Sequence, residues 1–378
     1  MEAPFIFGKL AEGKNFINRE KDLENLKLNF KSGINTILIS PRRWGKSSLV
    51  NQAAEQLKAE TPELHFCFID LFNIRSEEDF YEDFATKLIR VTSTKWEEWV
   101  KNGKKFFSNL IPRFNMGLDP VHDFKITFDW KELKKSQDEI LELPQCISIA
   151  KKIRIVVCID EFQNIAQFDQ SLAFQKKLRS VWQKHQKVTY CLYGSKRHML
   201  AEIFENKSMP FYKFGETRFL NKITEHYWIE YINRQFSSTG KLISHELSVQ
   251  IASMMENHPY FVQMFAKNVW QNTGKKCSSE IIAFTLQELL IQNSLMFQRE
   301  LDNLTNKQIN FLKALTEGVL KFSTKQTLTN YDLGTQGNIT RIKSSLENSE
   351  IIDLWGDKIE FIDPLFRLWF IEIYLNKK

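Results

Sequence analysis

The sequence predicts an α/β fold. A parallel sheet core with helices on both faces should be followed by a helical segment and a small domain of three helices and a hairpin. Three observations carry this expectation. Four short apolar runs, at residues 34–40, 64–71, 153–160 and 188–195, are rich in β-branched and aromatic residues and alternate with helical patterns. Strands that are apolar throughout and separated by helices mark a parallel sheet buried on both faces. After Phe219 only helical periodicity remains, up to about residue 300. Finally, Gly (14) and Pro (9) are sparse among 378 residues, which argues against a many-turned all-β architecture.

The composition sets outer bounds. Hydrophobic residues at 43% and charged residues at 26% give a globular balance, and the length allows two or three domains. The net charge of +6 lies entirely before residue 301, because residues 301–378 carry ten basic and ten acidic side chains. The five Cys form no CxxC pair, and Cys67, Cys158 and Cys191 sit inside apolar runs. Buried reduced thiols in a cytoplasmic protein are therefore expected. No basic, then apolar, leader is visible, and no apolar run approaches the length of about 18 residues needed to cross a bilayer, so no membrane association is expected.

The elements follow in order. Residues 1–35 combine an extended start with a polar helix near 20–30. The first apolar run leads at once into Pro41-Arg42-Arg43-Trp44-Gly45-Lys46 and a helical pattern, so it reads strand, loop, helix. The second run is followed by a helix from Ser76 to about Val91. Residues 96–145 then break the alternation. This stretch is rich in Lys, Trp and Phe, carries Pro112, Gly117, Pro120 and Pro144, and reads as a partly helical insertion with a short hairpin near 124–128. Thr224 and Ser244 are placed to cap later helices. From Leu304 three helices lead to two strand candidates, 351–355 and 358–362, with Gly356-Asp357 as the turn between them. The expected division is a core at 1–219 with its insertion, a helical domain at 220–300, and a winged-helix pattern at 301–378.

Two constellations carry chemistry. Ser40-Pro41-Arg42-Arg43-Trp44-Gly45-Lys46-Ser47-Ser48 has the spacing of a phosphate-binding loop, with Ser40 where the first Gly usually stands. A loop that opens a helix turns backbone N–H groups toward phosphate oxygens. Gly45 permits close backbone approach, Lys46 reaches the outer phosphates, and the Ser47 hydroxyl suits Mg²⁺. Arg43, Trp44 and Ser48 complete the candidate nucleotide-binding loop. The third apolar run delivers Asp160 and Glu161 at its C-terminal end, the edge where open α/β sheets bind ligands. Asp160 suits Mg²⁺, and Glu161 suits the polarisation of a water. The fourth run ends in Gly194-Ser195, where Ser195 could sense a terminal phosphate or simply make a turn. Adjacent Asp and Glu, without a guanine-reading Asn-Lys-x-Asp string, favour ATP over GTP.

With these residues the chain resembles the archaeal-type P-loop ATPases, which border the AAA+ and STAND groups. Further strings carry the resemblance: Phe16-Ile17-Asn18-Arg19-Glu20, the Pro-Arg-Arg form of the loop, Ile159-Asp160-Glu161-Phe162-Gln163, Asn257-His258-Pro259-Tyr260-Phe261, and Asp363-Pro364-Leu365-Phe366 before Trp369. The resemblance implies a P-loop NTPase core of the AAA+ kind, a helical lid and a winged helix. It places Phe16 and Arg19 beside the adenine, Pro259 near the base, and Ser195 at a sensor position. One departure stands out. The family's Arg after Pro-Leu-Tyr has no counterpart in Pro210-Phe211-Tyr212-Lys213-Phe214, the nearest Arg being Arg218, so no arginine finger is assigned. The implied activity is Mg²⁺-dependent ATP hydrolysis driving a conformational switch, with ATP/ADP and Mg²⁺ as cofactors and a protein partner as client. Two alternatives stay open. One is an initiator-like DNA-binding ATPase that uses Arg341 and Lys343. The other is a STAND scaffold that holds ADP with little turnover.

Overall fold

The computed structural model describes residues 3–11, 13–93, 95–119 and 123–377, and Pro120 lies outside them. The chain forms two compact units. One is Arg19–Asn221, and the other joins Met1–Asn18 to Lys222–Lys378.

Among the described residues the Arg19–Asn221 unit has, in chain order, strands β1 (Thr36–Ile39), β2 (Leu64–Asp70), β3 (Arg113–Asn115), β4 (Lys125–Thr127), β5 (Arg154–Asp160), β6 (Val188–Gly194) and β7 (Glu216–Phe219). Five of them form one sheet in the order β2-β5-β6-β1-β7, every pair parallel. β1 and β6 are buried along their whole length, so helices cover both faces, as the apolar runs required. The register pairs Ile39 with Gly194 and Ile159 with Leu192, which brings the C-terminal ends of β1, β5 and β6 to one edge.

The unit's core is aromatic. Trp182 is fully buried and stacks on Tyr190 with centroids 4.3 Å apart, and Phe84 stacks on it in turn at 5.9 Å. Cys67, Cys158 and Cys191 are free and buried, as their apolar surroundings predict. The insertion joins this same core through Trp99, Phe107, Phe124, Ile126 and Phe128. Its hairpin pairs β3 with β4, so residues 124–128 supply only the second strand. β4 docks on the helix Glu77–Val91, where the Ile126 N–H donates to Thr86 Oγ1 at 2.9 Å. The helix Gln137–Lys151 continues through Pro144.

The other unit is mainly helical: Glu225–Ser237, His245–Met254, Pro259–Asn272, Ser279–Asp302, Asn306–Thr316, Lys325–Asn330 and Gln336–Asn348. Ser244 caps its helix by accepting from the Leu247 N–H, whereas Thr224 caps with no side-chain hydrogen bond. After these come the antiparallel hairpin β8 (Ile352–Trp355) and β9 (Lys358–Phe361), with Gly356 in the turn at φ 57°. A short helix, Pro364–Trp369, follows, capped by Asp363 through the Leu365 and Phe366 N–H groups. One core runs through all of these, from Phe5 and Trp228 to Phe297, Phe311 and Trp369. Among the described residues no helix is long and apolar enough to cross a membrane.

The Trp182 stack gives a direct test of the core. Trp182→Ala is expected to lower the unfolding free energy by about 3–5 kcal/mol, the usual range for removing a buried large aromatic. Urea denaturation checks this, and a loss below about 1 kcal/mol would show that the stack does not organise the core.

Candidate functional site

The site begins where β1 ends. Ser40 is fully buried and is not among the residues with positive φ, which explains why Ser can stand where Gly is usual. The two residues of the loop that do need the left-handed region are Arg43 (φ 63°) and Gly45 (φ 90°). A side chain on residue 45 would meet open space, so the backbone angle is what selects Gly there. Gly45 caps the helix Lys46–Glu60 without a side chain, and no acidic residue sits in the first turn. The positive end of this helix therefore faces the loop with no acidic residue of its own first turn, which suits an anion.

Lys46 is 6% exposed, and its Nζ donates to the carbonyls of Ser40 (3.3 Å) and Pro41 (3.2 Å). Burial lowers its pKa. Asp160 and Glu161 oppose that shift, while Arg42 and Arg197 add to it. Ser47 Oγ donates to Asp160 Oδ2 at 2.8 Å, and Asp160 Oδ1 accepts from the Glu161 N–H at 2.8 Å. Burial raises the Asp160 pKa, against the Ser47 hydrogen bond and the Lys46 charge. A hydroxyl beside one carboxylate suits a hard cation that keeps most of its waters. Among the described residues no group of three or more His, Cys, Asp or Glu forms a protein cage for a metal.

Glu161 follows β5 with φ 51°, and its Oε2 accepts from Ser195 Oγ at 3.0 Å and from Gln163 Nε2. Gln163 is 1% exposed. Its amide oxygen has no partner among the described residues and lies where a Cβ on residue 194 would be. Gly194 is thus required by the amide that holds Glu161. Arg19, also buried, donates from Nη2 to the carbonyls of Trp44 (3.2 Å) and Asn221 (2.8 Å), and it pairs with Asp22 at 3.3 Å.

The sequence family described as an ATPase domain predominantly from Archaea matches residues 16–228. This chain belongs to that family. Comparison with curated proteins gives no match. Among solved structures, the Walker-type ATPase of Pyrococcus abyssi is similar over 97% of this chain and 99% of its own, at 15% identity and a TM-score of 0.67. The ORC2 protein of Aeropyrum pernix, solved as ADPNP–ADP complexes, is similar over 98% of both chains, at 12% identity and a TM-score of 0.56. At such identities the likeness is one of fold, and it agrees with a P-loop NTPase core.

In this archaeal-type ATPase Arg19, Arg43, Trp44, Gly45, Lys46, Ser47, Ser48, Asp160, Glu161 and Ser195 all belong to the Arg19–Asn221 unit. Phe16 and Pro259 belong to the other unit, where Pro259 is buried and opens the helix Pro259–Asn272. Lys213 lies over Tyr212 at 5.4 Å, and Arg218 on β7 pairs with Glu216 at 2.6 Å. Sequence reasoning missed two side chains. Gln163 was quoted only as part of a motif string. Arg197, whose guanidinium lies 5.1 Å over the Trp44 ring, belongs to no motif, and its one signal was a basic pair directly after Gly194-Ser195. A cleft of about 610 Å³, lined by Arg75, Glu77, Tyr81, Trp130 and Lys134 among others, contains none of the site residues.

The Gly194–Gln163 contact is testable. Gly194→Ala is expected to destabilise by about 1–3 kcal/mol through overpacking. Adding Gln163→Ala removes the colliding amide, so the double variant should recover part of that loss in urea unfolding. Strict additivity of the two substitutions would refute the contact.

Proposed function

We propose that this ATPase binds ATP with Mg²⁺, hydrolyses it to ADP and phosphate, and uses the nucleotide state as a conformational switch. The observation that carries the reading is the Ser47–Asp160 hydrogen bond of 2.8 Å at the mouth of the phosphate loop. It joins the loop's hydroxyl to the acidic strand end, the pair of groups that would hold the cation. When bound, Mg²⁺ supplies neutralisation of charge on the phosphate oxygens.

The chain's own residues do the rest. The loop amides after Arg43, Trp44 and Gly45, with Ser48, cradle the inner phosphates. Lys46 exchanges its two carbonyl partners for phosphate oxygens, gaining charge-assisted bonds. Glu161 orients the attacking water and takes its proton, and Ser195 with Gln163 fixes the direction of its carboxylate. On this reading residues 1–219 are the catalytic core, 220–300 the lid carrying Pro259, and 301–378 a winged helix. Three helices followed by the β8–β9 hairpin support that last reading. Phe16 and Arg19 are assigned to the adenine side.

DNA binding draws less support. In the helix Gln336–Asn348, Arg341 is exposed, but Lys343 is half-buried over the Phe322 ring at 5.7 Å.

Calorimetry with ATP and ADP in the presence of Mg²⁺ tests the proposal, and absence of both bindings would sink it. Lys46→Ala is expected to weaken nucleotide binding by about tenfold or more, close to 1.4 kcal/mol at the least. Glu161→Gln should keep binding and lose about 10²–10⁴-fold in turnover. Undiminished turnover in that variant would remove Glu161 from the mechanism.

A further inference from the structure

We propose that Arg197 is a catalytic arginine acting in cis: docked on the Trp44 ring of the phosphate loop, its guanidinium contacts the terminal phosphate of ATP and offsets the charge that develops there. This inference rests on the ATP reading above and assigns a residue that neither the motifs nor the family resemblance supplies.

Three observations place it. Arg197 opens the helix Arg197–Glu205 two residues after Ser195, whose hydroxyl holds Glu161. It therefore stands at the C-terminal end of β6, between the acidic strand end and the loop. Its guanidinium lies 5.1 Å over the ring of Trp44, the residue immediately before Gly45 and Lys46. Trp44 is itself 7% exposed, with its carbonyl held by Arg19, so it is a fixed platform. Arg197 and Arg42 are both near enough to Lys46 to oppose its charge.

The chemistry follows from these positions. An aromatic platform sets the plane of a guanidinium through its face, while the N–H fork recognises oxygen anions in that plane. Arg42 and Arg197 add positive charge around Lys46, which also faces Asp160 and Glu161, so an anion that enters beside the helix N-terminus meets a cationic side of the site. A terminal phosphate gains that whole field, whereas ADP gains only part of it. In hydrolysis the water oxygen bonds to the terminal phosphorus. The bond from that phosphorus to the bridging oxygen breaks, and its electron pair stays on ADP. Glu161 takes the water's proton, and Arg197 exchanges none. It contributes charge and direction, the role an arginine plays in cis in some phosphoryl-transfer sites.

The test compares ADP with a non-hydrolysable ATP analogue, both with Mg²⁺, by calorimetry on the full chain, alongside turnover. Arg197→Ala should leave ADP affinity within about threefold but weaken the analogue by about tenfold or more. It should also lower turnover by about 10³-fold. Arg197→Lys, which keeps charge without the fork, should fall between. An unchanged ratio of analogue to ADP affinity in Arg197→Ala overturns the proposal. So does equal weakening of both ligands, which would assign Arg197 to packing. Should Arg197→Ala fail to fold, Arg197→Gln keeps the side chain's length, and the same ratio decides. Wild-type protein that binds neither nucleotide would fell the ATP reading itself, whereas wild-type binding with an unaltered ratio fells Arg197 alone.

Discussion

The site depends on β6 lying between β1 and β5. Parallel pairing fixes Ile39 opposite Gly194 and Leu192 opposite Ile159, so three strand ends open onto one edge. The phosphate loop leaves β1, the acidic pair leaves β5, and Ser195 leaves β6. Ser47 and Asp160 are 113 positions apart in the chain, yet this order brings them to hydrogen-bond distance. All seven residues of β6 are buried, so a shift of one would exchange the side chains packed on its two faces. Asn35, just before β1, adds a side-chain lock by accepting from the Tyr190 N–H at 2.9 Å.

On that frame the electrostatics are set by burial rather than by exposed pairs. Desolvation lowers the Lys46 pKa and raises that of Asp160, so each is pushed toward its neutral form. Each is held in its place by nearby groups: carbonyls for the ammonium, Ser47 and a backbone N–H for the carboxylate. Buried polar groups that are paired but replaceable suit a site that must exchange partners when a ligand enters. Gln163 extends the same logic, spending its N–H on Glu161 while its oxygen is left against Gly194.

Much of this was legible in the sequence, for a physical reason. The three inner strands β5, β6 and β1 read as apolar runs because both their faces are covered, the edge strand β2 is apolar enough to read the same way, and the loop motif is contiguous because one turn of backbone must surround a phosphate. β7 was not legible. Glu216–Phe219 lies at the sheet edge, only partly buried, with Glu and Arg among its four residues, so it carries no apolar run. Trp99 stands in a charged string where core packing is the commoner role of an aromatic, and that packing is supplied by Phe124, which the hairpin brings to 5.2 Å. Arg197 and Gln163 were missed as site members because their meaning lies in contacts with Trp44 and Gly194, distant in sequence, and periodicity does not encode such contacts.

The buried guanidinium of Arg19 shows how the loop is tied to the rest of its unit. Arg19 and Asn221 are the first and last residues of the Arg19–Asn221 unit, the two points at which the chain enters and leaves it. One nitrogen of Arg19 bonds both the Asn221 carbonyl and the Trp44 carbonyl. The backbone of the phosphate loop and the exit of the chain thus share a single donor group. Burial already lowers the Arg19 pKa, so the charge needs all of its acceptors. Displacing the Trp44 carbonyl would leave a buried cation short of a partner, at a penalty of about 1–3 kcal/mol. Asn221 supplies the other carbonyl on that nitrogen among the described hydrogen bonds, so one guanidinium joins the loop backbone to the residue where the chain leaves the unit.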